Sequence, residues 1–166
     1  MSAYYLDTSV LFPRYLTRAT GHAWTDALCA PGAGNSLIIA EITTTEFAAG
    51  LNQLVLGGIF PKRRCELILA QFWREVDVGA FTLIPVSLPL ARRAADLCGV
   101  YSLKGYDAIQ LACALSARDT IHQSDADNVA QGLPPLGDPI FLTEDNRLHD
   151  AALGEGFGVD SPLNHP

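Results

Sequence analysis

The nine residues from Asp107 to Leu115, Asp-Ala-Ile-Gln-Leu-Ala-Cys-Ala-Leu, have helical character and are apolar on almost every side. Such a helix cannot rest on a surface; it belongs at the centre of a packed structure. Around it the chain sets short apolar stretches of strand length. Ala3 to Leu6 ends in Asp7-Thr8-Ser9 and precedes a helical pattern beginning near Val10, while Ser36 to Ile39, Phe81 to Val86, Ile140 to Thr143 and Phe157 to Val159 supply four more strand candidates. Helical spacing fills the gaps, over Gly21 to Ala30, Ile42 to Leu56, Pro89 to Tyr101, Gly105 to Ala117 and Asn146 to Leu153. A further helix opens at Pro61 with the stripe Cys65, Ile68, Leu69, Phe72 and Val76, and pairs with Ile42 to Leu56 as a helical hairpin across Gly57-Gly58. Strands alternating with helices predict an α/β fold, a parallel sheet covered on both faces.

A length of 166 residues suits one domain, with the polar stretch 119–138, which contains Pro134-Pro135 and Gly137, read as an insertion holding one irregular helix. Hydrophobic residues reach 49% and charged residues only 17%, which excludes a disordered chain and predicts apolar surface left over for self-association or a partner. The longest apolar runs fall far short of the roughly 20 residues that cross a bilayer. The N-terminus has no signal-peptide pattern, so a cytoplasmic protein with no membrane role is expected. Cys29, Cys65, Cys98 and Cys113 form no C-x-x-C pair and read as buried, reduced thiols. A net charge of −7 argues against holding nucleic acid by bulk electrostatics, yet leaves room for a protein that does so through metal ions.

In an open α/β sheet the ligand crevice lies beyond the carboxyl ends of the strands. Four acids fall there: Asp7 closing the first strand, Glu46 on the first turns of the helix after the second, Asp107 opening the apolar helix, and Asp145 following the strand from Ile140. Thr43, Glu46 and Gly50 share one helix edge, so small neighbours leave the Glu46 carboxylate open. Glu41, at the strand-helix junction, competes for the same role. Taken singly, Asp7, Asp107 and Asp145 could each be helix N-caps. Together, like charges at close range raise one another's pKa and call for a cation, and oxygen-only ligands select a hard ion such as Mg²⁺ or Mn²⁺. Such a site suits phosphodiester hydrolysis. His149, one turn after Asp145, reads as an exposed helix residue.

Four blocks carry a family likeness: Tyr5-Leu6-Asp7-Thr8-Ser9-Val10-Leu11, Thr43 to Leu51 around Glu46, Lys104-Gly105-Tyr106-Asp107-Ala108-Ile109-Gln110 and onward to Leu115, and Phe141-Leu142-Thr143-Glu144-Asp145-Asn146-Arg147-Leu148. In this order they resemble the acidic motifs of PIN-domain ribonucleases, most of all the VapC toxins of VapBC toxin-antitoxin pairs. The resemblance implies a Rossmann-like three-layer α/β/α sandwich, Mg²⁺- or Mn²⁺-dependent endonucleolytic cleavage of RNA, a homodimer and a cognate antitoxin. It implies Asp7, Glu46, Asp107 and Asp145 as catalytic metal ligands, with Thr8 or Ser9 and Thr143 as hydroxyls that orient carboxylates or water. A haloacid-dehalogenase-type phosphatase would need a second Asp where this chain has Ser9. The alternative from another class is a PIN-like module that binds or scaffolds with little turnover.

Overall fold

Side chains alternate across a strand, and here both sets are apolar, so the sheet must be covered twice. The computed structural model describes residues 2–166. Strands β1 (Ala3–Leu6), β2 (Ser36–Ala40), β3 (Thr82–Ile84), β4 (Ile140–Leu142) and β5 (Val159–Asp160) form a five-stranded sheet in the order β3-β2-β1-β4-β5. Every pairing is parallel; Tyr5 on β1 stands opposite Ile38 on β2 and Phe141 on β4.

Helices α1 (Thr8–Tyr15), α2 (His22–Cys29), α3 (Thr43–Leu56) and α4 (Lys62–Asp77) lie on one face, and α5 (Leu88–Tyr101), α6 (Gly105–Ala130) and α7 (Asn146–Gly154) on the other. The strand residues divide by parity. Leu6, Leu37, Ile39 and Leu142 join Phe47 of α3 and Phe72 of α4 in one core. Tyr5, Ile38, Ala40 and Phe141 pack with Leu111, Ala112 and Leu115 of α6 in the other. Phe47 and Phe72 are fully buried, each contributing about 1.5–3 kcal/mol of burial free energy. The architecture is the three-layer α/β/α sandwich, and α3 with α4 forms the hairpin read from the sequence.

Several boundaries differ from the sequence reading. Helix α1 starts at Thr8, two residues early, because Asp7 caps it. Strand β3 is shorter than 81–86; Pro85, which has no N–H for the ladder, follows its last residue. Strand β5 begins at Val159 rather than Phe157. The larger correction concerns 119–138. Helix α6 does not end near Ala117 but runs unbroken for 26 residues to Ala130. It stops where Gly132 takes a left-handed φ of 76° and Leu133 N–H donates back to the Asn128 carbonyl at 2.9 Å. The return segment is pinned to the extension by Asp125, whose carboxylate accepts from Leu136 N at 2.7 Å and Gly137 N at 2.8 Å. Among the described residues no helix is long and apolar enough to cross a membrane.

The strand order reverses at β1. The chain leaves β1 toward one face through α1 and leaves β4, its neighbour, toward the other face through α7. Diverging connections open a crevice beyond the ends of β1 and β4, where open α/β sheets bind ligands.

Candidate active site

Asp7 is the first residue past β1, and its N–H continues the sheet by donating to the Leu142 carbonyl at 3.0 Å. That bond draws the side chain inward, to 7% exposure. Its Oδ2 accepts from Ser9 Oγ at 2.7 Å, Thr143 Oγ1 at 3.0 Å and Ser9 N at 3.4 Å. Burial pushes the Asp7 carboxyl above the ordinary range, against the downward pull of those hydroxyls and of the Thr8 and Ser9 backbone. The same hydroxyls tie the two loops together: Ser9 Oγ accepts from Glu144 N at 2.9 Å, and Thr143 Oγ1 from Asp145 N at 3.1 Å.

Glu46 lies in the first turn of α3, and its Oε2 accepts from Thr8 Oγ1 at 2.6 Å and from Gln110 Nε2 at 2.7 Å. Thr8 therefore joins the turn that carries Asp7 to the helix that carries Glu46. Glu41 takes no part in this network: it is exposed at the end of β2, where its N–H donates to the Ile84 carbonyl at 2.9 Å.

Asp107 sits in the first turn of α6, where burial raises its carboxyl pKa and the negative charges of Asp145 and Glu46 raise it further, opposed by Lys104. Asp145 is exposed and caps α7, its Oδ1 accepting from Arg147 N at 2.8 Å and Leu148 N at 2.9 Å. Neighbouring Glu144 is also raised, by burial and then by the charge of Asp7. An open cleft of about 590 Å³ is lined by Lys104, Asp107, Glu144, Asp145, Arg147 and Asp150, with Asn146. Asp7 is too deeply set to line it. Glu46 lines a separate recess with Thr45, Ala49 and Tyr106. His149 is half-buried on α7 with Nδ1 3.1 Å from Asp150 Oδ1.

The four acids thus come from four elements to one end of the sheet, and Asp107 registers the charge of two of the others. Among the described residues, however, no three His, Cys, Asp or Glu side chains stand close enough to enclose a metal ion. The donor chemistry nonetheless fits a hard divalent cation: the groups are carboxylates, and at Asp107 the charges of Asp145 and Glu46 are opposed by Lys104.

A family model for the PIN domain matches residues 4–153. The chain is a PIN-domain protein. PIN domains are nucleases, hydrolases acting on nucleic acid, and they generally use divalent metal ions. No curated protein matches this PIN domain in sequence. Among solved structures it is similar to VapBC2 from Rickettsia felis bound to a DNA fragment from their promoter, at 12% identity and a TM-score of 0.57, covering 96% of this chain and 98% of that one. It is also similar to FitAB bound to an IR36 DNA fragment, at 15% identity, 96% and 95% coverage and a TM-score of 0.60. FitAcB from Neisseria gonorrhoeae matches at 16% identity, 96% and 97% coverage and a TM-score of 0.57. At these identities the likeness establishes the fold.

Sequence reasoning missed Gln110 in this PIN domain. It is 1% exposed and binds Thr8, Thr43, Tyr5 and Glu46. Its signal was present: a polar residue facing inward from an otherwise apolar helix, one turn after Asp107. Lys104 and Arg147, the cations on the cleft wall, were passed over because neither belongs to a run of basic residues.

Proposed function

We propose that this PIN domain is a Mg²⁺- or Mn²⁺-dependent endoribonuclease that hydrolyses RNA phosphodiester bonds and serves as the toxin of a toxin-antitoxin pair. The observation that supports the reading is placement: Asp7, Glu46, Asp107 and Asp145 come from separate elements to the end of the sheet where its order reverses, and Asp107 and Asp145 line one cleft there. Asp7, Glu46, Asp107 and Asp145 would hold the ion, which when bound supplies positive charge to activate water and to stabilise the leaving 3′ oxygen. Ser9 and Thr143 orient Asp7, and Thr8 orients Glu46. Lys104 and Arg147 stand on the cleft wall where they can meet the phosphates of an RNA strand, in a protein whose net charge of −7 otherwise repels it. The likeness to VapBC2 and FitAB supports a cognate antitoxin. Exposed Leu56, Ile59 and Leu67 on the α3–α4 hairpin support an interface, which we assign to a homodimer or to that antitoxin.

One observation favours the second reading, a PIN fold that binds without useful turnover: no three acids among the described residues close around an ion. Cleavage of a short single-stranded RNA separates the two. The nuclease cuts with Mn²⁺, stops in EDTA, and loses activity in Asp107→Asn while its circular dichroism is unchanged. A folded wild-type protein that binds RNA but never cuts it, at any Mg²⁺ or Mn²⁺ concentration, would establish the binding module.

A further inference from the structure

Glu46 owes its position to a residue on another helix. Gln110 lies one turn beyond Asp107 on α6, and its side-chain nitrogen reaches Glu46 Oε2 at 2.7 Å, Thr43 Oγ1 at 2.9 Å and Thr8 Oγ1 at 3.0 Å. Its oxygen accepts from the Tyr5 hydroxyl at 2.7 Å. Tyr5 is fully buried, stacked on Phe141 with ring centroids 5.2 Å apart. This arrangement fixes which way the amide points. Reversed, its oxygen would face the Glu46 carboxylate and its nitrogen the phenol.

A buried amide is costly unless its partners are present, and these partners come from β1, α1 and α3 at once. Both hydrogen bonds to Glu46 fall on Oε2, so Oε1 has no hydrogen-bond partner among the described residues. Helix α6 therefore carries Asp107 at its mouth and holds Glu46 from one turn deeper.

We propose that Gln110 is a positioning residue for divalent-ion binding: its amide, anchored by Tyr5, holds one oxygen of Glu46 and keeps the other available to the ion. The proposal rests on the reading of Glu46 as a metal ligand. Gln110 itself touches neither substrate nor ion.

The test is Mn²⁺ binding to the EDTA-stripped full chain, followed by the electron paramagnetic resonance of free Mn²⁺, with RNA cleavage measured beside it. Gln110→Leu keeps the volume and removes the amide; it weakens Mn²⁺ binding roughly 10- to 100-fold, the usual effect of losing a group that orients a ligand. Raising Mn²⁺ restores most of its cleavage rate, which a damaged fold would not allow. Tyr5→Phe removes only the hydroxyl that anchors the amide and weakens binding roughly 2- to 10-fold, so the proposal remains testable should Gln110→Leu not fold. In a Glu46→Gln background Gln110→Leu has no further effect on Mn²⁺ binding. Wild-type affinity in Gln110→Leu, or in Tyr5→Phe should Gln110→Leu not fold, would overturn the proposal, as would an undiminished loss in the Glu46→Gln background. Failure of the underlying reading looks different: Glu46→Gln alone would then bind Mn²⁺ like the wild type.

Discussion

Replacing Asp7 with Asn should make the protein more stable and less active. Asn caps a helix about as well as Asp, and its side-chain oxygen can still accept from Ser9 and Thr143, so α1 and the two loops keep their geometry. The substitution loses the charge assistance in three hydrogen bonds, about 1 kcal/mol each. It gains the cost of keeping a carboxylate at 7% exposure, on the order of several kcal/mol. The raised pKa of Asp7 gives the sign: burial outweighs the hydrogen bonds, so the charged form opposes folding. A net gain of about 1–2 kcal/mol is expected at neutral pH, or roughly 2–8 °C in melting temperature for a domain of this size.

The pH dependence follows from the same direction. A carboxyl raised on folding leaves the wild type most stable below the unfolded-state pKa and removes stability as pH climbs through the folded pKa. The advantage of Asp7→Asn should therefore be near zero in acid, grow across that interval and level off above it. Thermal melts in EDTA from pH 4 to 8 measure it. Added Mn²⁺ should stabilise the wild type by about 2.7 kcal/mol at a hundredfold excess over Kd, read as a higher melting point, and leave the variant nearly unmoved. A variant less stable than the wild type at pH 7, or an advantage independent of pH, would refute the argument.

Glu46→Gln should lower RNA cleavage by at least about 100-fold while Glu41→Gln stays within about twofold, as an exposed acid outside the network should; equal losses would mean that the second acid is misassigned. Arg14→Met should cost about 1.5–3 kcal/mol in urea melts, because it removes the charge-assisted hydrogen bond of 2.7 Å to the part-buried Glu75 and leaves that carboxylate to the Tyr15 hydroxyl at 2.6 Å and to Gln71. Burial pushes Glu75 up, but Tyr15, Arg14 and Gln71 together bring it below the usual value, so the stability it contributes at neutral pH should fade as pH drops through that lowered pKa, and fade less in the variant. Gly21→Ala should destabilise by about 2 kcal/mol or more in thermal melts, since Gly21 has φ of 77° and a Cβ there would lie 2.3 Å from the Pro162 carbonyl oxygen.

Where the sequence spoke clearly, it did so through periodicity and through chemistry that repeats at strand ends. The alternation of apolar strands with amphipathic helices predicts a covered parallel sheet, and the all-apolar face of Asp107 to Leu115 predicts the central helix that α6 supplies. Asp7 and Asp145 could be read from strand ends, because a parallel sheet delivers every strand end to the same side, whereas Asp107 follows another helix and was read from the apolar helix it opens. The extension of α6 was read as an insertion with an irregular helix of its own because its residues are polar, but polarity marks exposure and not the end of a helix. Between Gly105 and Gly132 the chain contains neither Gly nor Pro, and Ala, Arg and Gln sustain the helix past the core. Gln110 stayed hidden for the opposite reason. Its partners Tyr5, Thr8, Thr43 and Glu46 lie far away in the chain and meet only when β1, α1, α3 and α6 converge, so no spacing rule could have revealed them. What the sequence did hold was a local inconsistency, one amide in an apolar helix. A fold that tolerates such a conflict keeps it where distant elements satisfy it together, beside the acids on which its chemistry is proposed to depend.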